Sequence, residues 1–307
     1  MRKYQIIVIA LMMVSYAGAA ELLWYLPYDA NMNEAVNGEA PTQVNANPLA
    51  DEPYASTAPS LSAGLTSGGS GAESGNALDM RDTMANMGQT TPTNYGGWVR
   101  YGSPENKSSM ELSMKGLSSF TVMGWLNTKD SSIAIGNNTR VFASSDNSFS
   151  LLFNNGSVPG RMQFALEGNW YNSGYAVTNW GLADEWVFFA ASYDGTTSTE
   201  NLKYYMGGLD TNDVELVVTL DSNVGTFNYS GDWFVVGNNG ADNTAADKGF
   251  KGLIDELRMF GSTADASGAL DAADITLYKN DVFTAVPEPA TIGLLAIGGL
   301  AFVRRKK

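Results

Sequence analysis

The chain of 307 residues contains no cysteine and no histidine. These absences remove disulfides, thiolate nucleophiles, imidazole bases and the usual zinc ligands, and with them every enzyme class that depends on such groups. Missing cysteines do not argue for the cytosol, because an exported chain with a large core can do without bridges. Charge is scarce as well, at 16% of residues against roughly 25% in ordinary soluble domains. Basic side chains are the scarcer sign: 18 Lys and Arg stand against 32 Asp and Glu, a net charge of −14. Six of the 18 are Arg2, Lys3 and the run Arg304, Arg305, Lys306 and Lys307, so the stretch from Glu21 to Val286 holds 12 basic residues against 31 acidic, hence −19. Such a body is repelled by nucleic acid and by anionic lipid, and it attracts hard cations, calcium being the natural one.

What the chain has instead is glycine, 33 residues, and aromatics at 11%. That mix favours strands and turns over surface helices. The length allows one large or two ordinary domains, and an all-β sandwich can fill about 200 to 250 residues as one unit.

The two ends are address labels. Arg2 and Lys3 precede the apolar run 6–14, and Ala17-Gly18-Ala19-Ala20 follows it, the layout of a secretory signal peptide cut by signal peptidase. The apolar run is shorter than the roughly 20 residues needed to span a bilayer. At the other end Pro287-Glu288-Pro289 leads into the apolar stretch 292–303 and the tail from Arg304 and Arg305 to Lys307. This resembles the PEP-CTERM sorting signal of exosortase-bearing Gram-negative bacteria. The resemblance implies transient inner-membrane association through a short C-terminal transmembrane helix, removal of that tail near Pro-Glu-Pro, and delivery to the cell surface or extracellular matrix. A retained anchor is the alternative.

Between the labels the pattern is of strands. Phe120, Val122 and Leu126 alternate with Met123 and Trp125, apolar on both faces as in a central strand. Met162, Phe164 and Leu166 alternate with Arg161, Gln163 and Glu167, a half-exposed strand. The run 185–193 is the strongest strand, and Asp194-Gly195 turns it into a return over 201–208. Trp98 and Arg100 fall on one parity, Val99 and Tyr101 on the other. Residues 32–75, rich in Pro, Ser, Gly, Ala and Asn, read as irregular loops. Near the end, residues 250–260 form a strand with Leu253, Leu257 and Met259 on one parity and Ile254, Glu256, Arg258 and Phe260 on the other. Gly249 and Gly252 suggest a bulge or a close approach there, and Gly261 marks the strand's end.

The glycine, Ile254-Asp255-Glu256, alternating strand and short acidic helix at 273–278, with the Trp186 strand and Tyr193-Asp194-Gly195 turn, resemble laminin-G-like (concanavalin A-like) jelly rolls. The resemblance covers roughly residues 21–281. It implies an all-β fold, an antiparallel β-sandwich of the jelly-roll type over 21–285, flanked by the signal peptide 1–20 and the sorting signal 286–307. It also implies calcium ligands at Asp29, Asn31 and Asp255, positions where calcium-binding modules of this kind place them; solvated loop acids and a buried cap at Asp255 are the plainer alternative. Aromatics beside glycine are a usual sugar-stacking arrangement, because a pyranose has an apolar face. Trp98, Tyr101, Trp170 and Tyr171 are the candidates, with core packing as the alternative for each.

Glycosidases place two carboxylates about 5 to 9 Å apart over one bond, most simply residues two apart in a strand. Asp255 and Glu256 are adjacent and point to opposite faces, as do Asp184 and Glu185. The expectation is therefore an exported, non-enzymatic protein that binds an extracellular polysaccharide or a cell-surface protein. The alternatives are a secreted polysaccharide hydrolase and a purely structural matrix component.

Overall fold

The computed structural model describes residues 20–28, 31–45, 58–63, 76–80, 97–127, 139–154, 161–176, 185–228, 231–239, 248–250 and 252–280. Among them the strands run, in chain order, β1 (Glu21–Leu26), β2 (Gln43–Asn45), β3 (Ser60–Ala63), β4 (Asn76–Asp79) and β5 (Trp98–Gly102). After helix α1 (Ser109–Ser113) come β6 (Ser119–Asn127), β7 (Thr139–Ser144), β8 (Phe149–Asn154), β9 (Arg161–Leu166) and β10 (Asn169–Ala176). β11 (Trp186–Asp194), β12 (Leu202–Gly208), β13 (Glu215–Leu220), β14 (Trp233–Val236) and β15 (Leu253–Ser262) follow, then a 3-10 turn (Ala266–Gly268) and helix α2 (Ala272–Lys279).

The strands form two antiparallel sheets. One is eight-stranded in the order β13-β12-β11-β6-β15-β4-β3, with β1 also paired to β15; the other is seven-stranded, β10-β9-β8-β7-β14-β5-β2. The sandwich expected from the alternating pattern is the fold found. Its core is where the inner faces meet: Phe120, Val122 and Leu126 of β6 and Val187, Phe189 and Tyr193 of β11 pack against Phe149, Leu151 and Phe153 of β8 and Met162, Phe164 and Leu166 of β9. Rings dominate it. Phe149 lies 5.2 Å from Phe164 and 5.6 Å from Phe120, and Phe142 lies 5.5 Å from Phe234, centroid to centroid. Truncating one such ring to alanine costs about 3–5 kcal/mol, so this cluster is the main hold between the layers.

β6 and β11 are apolar on both faces because both faces are covered. Met123, Trp125 and Phe188 meet Leu270 and Ile275, brought over the outer face of the eight-stranded sheet by the 3-10 turn and α2.

Three details depart from the sequence reading. The alternation of β15 does not hold: Ile254, Leu257 and Met259 all enter the core, since the register against β6 slips between Asp255 and Arg258 and Glu256 adopts φ 53°. This bulge sits opposite Gly124, where a Cβ would lie 3.2 Å from the Leu257 Cα. Gly252 supplies a close approach instead, lying against the Asn127 carbonyl with no room for a Cβ. Gly261 does not end the strand, which runs on to Ser262. Finally, β2 and β3 lie within the stretch read as loop, and β10 had no strand pattern to announce it.

The bulge closes on a polar knot. Glu256 Oε2 accepts from the Tyr25 hydroxyl at 2.5 Å and pairs with the Arg258 guanidinium, which lies 4.5 Å over the Tyr25 ring. Both charged side chains are nearly buried, so each satisfies what the other would otherwise leave unpaired.

Candidate functional site

The outer face of the seven-stranded sheet gathers arginines and tryptophans. Its strands contain no Asp or Glu, in a chain with 32 of them, yet hold Arg100, Arg140 and Arg161 with Trp98, Trp170 and Trp233. Strand alternation sets all six outward, because Val99 and Tyr101, Met162 and Phe164, and Phe234 and Val236 take the inward positions.

Register explains how they meet. Trp170 stands beside Ala165, Ala165 beside Ser150, and Ser150 beside Ala143. These small residues leave a trough across β9 and β8, over which the Trp170 ring and the Arg140 guanidinium reach each other at 5.5 Å. Arg140 Nε also donates to Asn147 Oδ1 at 3.1 Å. The indole is thus held from beneath while 43% of its surface stays open to solvent. A cation–π contact of this kind contributes about 0.5–2 kcal/mol and fixes the ring's plane. Further along, Arg100 lies 5.4 Å over Trp233, and Trp98 packs with Val235. Burial lowers the Arg100 pKa from its usual range, with nearby Glu105 opposing the shift. Among the small residues Ser150 is fully buried and its Oγ has no hydrogen-bond partner.

Of the aromatic candidates, then, Trp170 is exposed on this face and Trp98 shares it at 7% exposure. The other two point inward, since each is the sequence neighbour of an outward residue. Tyr101 is fully buried, its hydroxyl donating to the Met32 carbonyl at 2.6 Å, so its ring has no face left for a ligand. Tyr171 packs against the core with its hydroxyl accepting from Ser222 Oγ at 2.9 Å. Trp233 and Arg140 are not among the residues the sequence singles out. Trp233 could have been found from its spacing to Val235; the meeting of Arg140 with Trp170 depends on register across four strands, which local pattern does not contain.

The metal candidates do not assemble in this way. Asp255 is fully buried in the bulge, and one of its oxygens accepts from the Glu256 amide at 2.9 Å. Asn31 is exposed, and its oxygen accepts from the Asn33 amide at 2.7 Å. The buried Tyr28 hydroxyl is pushed well above its usual pKa, first by desolvation and then by neighbouring Tyr101 and Asp255. The donors are all oxygen, the chemistry calcium prefers, but among the described residues no three acidic side chains converge on one metal position. Asp29 lies outside the described residues, as do Pro287, Glu288, Pro289, Arg304 and Arg305.

A cleft of about 310 Å³ opens on the opposite sheet beside the 3-10 turn, lined by Asp194, Glu200, Lys203 and Asp271. It offers no exposed ring, since Tyr205 at its edge is 3% exposed.

Two stacked antiparallel sheets, one with an acid-free aromatic outer face and the other roofed by a short helix, define a lectin-like β-sandwich of the jelly-roll class. A family model described as the concanavalin A-like lectin/glucanases superfamily matches residues 104–268, and the chain belongs to that superfamily. A second model, the PEP-CTERM protein-sorting motif, matches residues 285–307 and marks the chain for export and cell-surface sorting through an exosortase system. Among the described residues no helix is long and apolar enough to cross a membrane.

Similar solved structures include domain 4 of AbnA, a GH43 extracellular arabinanase from Geobacillus stearothermophilus in complex with arabinotriose: 15% identity, 85% of this chain and 98% of that one, TM-score 0.51. The receptor-binding domain of botulinum neurotoxin mosaic serotype C/D is similar at 12% identity over 85% of this chain and 51% of that one, TM-score 0.47. Mouse laminin alpha1 domains LG4-5 are similar at 11% identity over 50% and 39%, TM-score 0.30. No curated protein matches the sequence.

Proposed function

We propose that this is an exported, non-enzymatic binding protein that holds an extracellular polysaccharide on the outer face of its seven-stranded sheet. The observation that carries the reading is Trp170: an indole on an edge strand, planar-locked by Arg140 and 43% exposed. A sugar's apolar face stacks on such a ring with little ordering left to do. The absence of acids from these strands supports binding over hydrolysis, which needs a carboxylate on each side of the scissile bond. A module of the same fold, the AbnA domain, is seen with arabinotriose. The protein belongs, in this proposal, to a Gram-negative bacterium, its apolar tail held briefly in the inner membrane and then cut away and the mature protein lodged in the surface matrix, a route that the sorting motif supports. Calcium on Asp255, Asn31 and Asp29 belongs to the same proposal as a structural ion.

The test is retention of purified protein on a panel of immobilised polysaccharides, with reducing-sugar release followed in parallel. Binding to at least one polymer is expected, without sugar release, and Trp170→Ala is expected to weaken it by about tenfold or more. Retention by none, or an unchanged Trp170→Ala, overturns the reading.

A further inference from the structure

We infer that the polysaccharide is an acidic one and that Arg161 reads its carboxylate; this rests on the binding reading above and narrows it to a ligand class. Arg161, on β9, and Trp170, on the edge strand β10 beside it, project from the same face of the sheet. Arg161 lies four residues before Ala165, and Ala165 pairs with Trp170, which sets the two side chains about 14 Å apart along the strands. That is more than one sugar ring. Gln163 and Asn172, directly paired and half-buried, stand between them with amides suited to hydroxyl groups.

The charge around Arg161 argues for an anion. Arg100 and Arg140 are nearly buried and lie over Trp233 and Trp170. Arg161 is half-buried, pairs with no carboxylate among the described residues, and its Nε is enclosed without a hydrogen-bond partner. A guanidinium that meets no carboxylate among the described residues is a poor tenant of a body with 31 acids and 12 bases. It stands on the one sheet whose strands carry no acid at all. A uronate further along the same polymer, beyond the residue that lies over Gln163 and Asn172, would complete it while another ring lies on Trp170, since the guanidinium fork matches a carboxylate in two parallel hydrogen bonds. The ligand chain would run along β9 and β10.

The experiment compares one polymer in two charge states, polygalacturonate and its fully methyl-esterified form, by calorimetric titration of the mature protein. Polygalacturonate is expected to bind at least tenfold more tightly than the ester. Arg161→Gln should erase that preference, and Arg161→Lys should restore part of it. Melting curves of both variants check that the fold is intact. Equal affinity for the two forms, or a preference that survives Arg161→Gln, overturns the acidic reading while leaving the binding reading standing. Failure of both forms and of every neutral polymer overturns the two together.

Discussion

Glu111 is buried in an uncomfortable place. It is 2% exposed in α1, and neither carboxylate oxygen has a hydrogen-bond partner. Desolvation raises its pKa well above the ordinary 4.5, Asp146, Asp232 and Glu39 raise it further, and Lys107 opposes them weakly. The folded state therefore keeps a proton that the unfolded chain releases. The sign follows: its contribution to stability is full below pH 4.5 and is lost as pH climbs from there through the raised folded value. Glu111→Gln should leave acid stability unchanged, raise the melting point at pH 8, and flatten the slope between; about 1–3 kcal/mol is at stake for such a group. An unaltered pH profile in thermal melts would mean that Glu111 finds a partner in solution. The same scale shows what was legible. Trp98 and Trp170 stand out in the sequence as aromatics beside or near glycine, a usual sugar-stacking arrangement, with core packing as the alternative; on the sheet Trp170 is open and Trp98 nearly covered. Tyr101, three residues from Trp98, and Tyr171, next to Trp170, fall on the opposite parity, which in a strand means the opposite face.

At the scale of elements, strands with clean alternation were legible and irregular ones were not. β6, β9 and β11 read correctly because a strand buried on one or both faces must show it in residue type. β15 misled because a single left-handed residue, Glu256, shifts parity midway, and nothing about glutamate announces that geometry. β10 mixes Asn, Trp, Tyr, Ser and Gly and carries no period; its place is decided by pairing with β9. The helix that roofs the eight-stranded sheet was implied by the family resemblance at residues 273–278. Asp271 caps it, one oxygen accepting from the Ala273 and Asp274 amides at 2.8 and 3.0 Å. Eight residues are too few for a helix to hold alone, so the cap and the burial of Ile275 carry it. Asp271→Ala should cost about 1 kcal/mol in urea unfolding, with a matching change in the fluorescence of Trp125 beneath. A loss below a few tenths would show that packing alone fixes α2.

For the whole molecule, composition said most about the fold and least about the site. Few charges, many glycines and no histidine point to strands and away from several chemistries, whereas a binding face emerges only when seven strands are set in register. The charge balance also bears on the ion. With 31 acids against 12 bases between the labels, repulsion works against the compact state, and a bound divalent cation would relieve it. If Asp29, Asn31 and Asp255 hold calcium, removing it with a chelator lowers the melting point by several degrees, and calcium but not magnesium restores it. A melting point indifferent to chelator would assign Asp255 to the bulge alone.

The first strand lies against the last. Glu21 pairs with Gly261 and Leu26 with Leu257, so β15, which also joins β1 to β6, cannot find its place until nearly the whole polypeptide is available. Contacts so distant along the chain make for slow assembly. A protein routed through a secretion channel profits from that delay: it stays threadable during passage and sets into its final shape only on the far side.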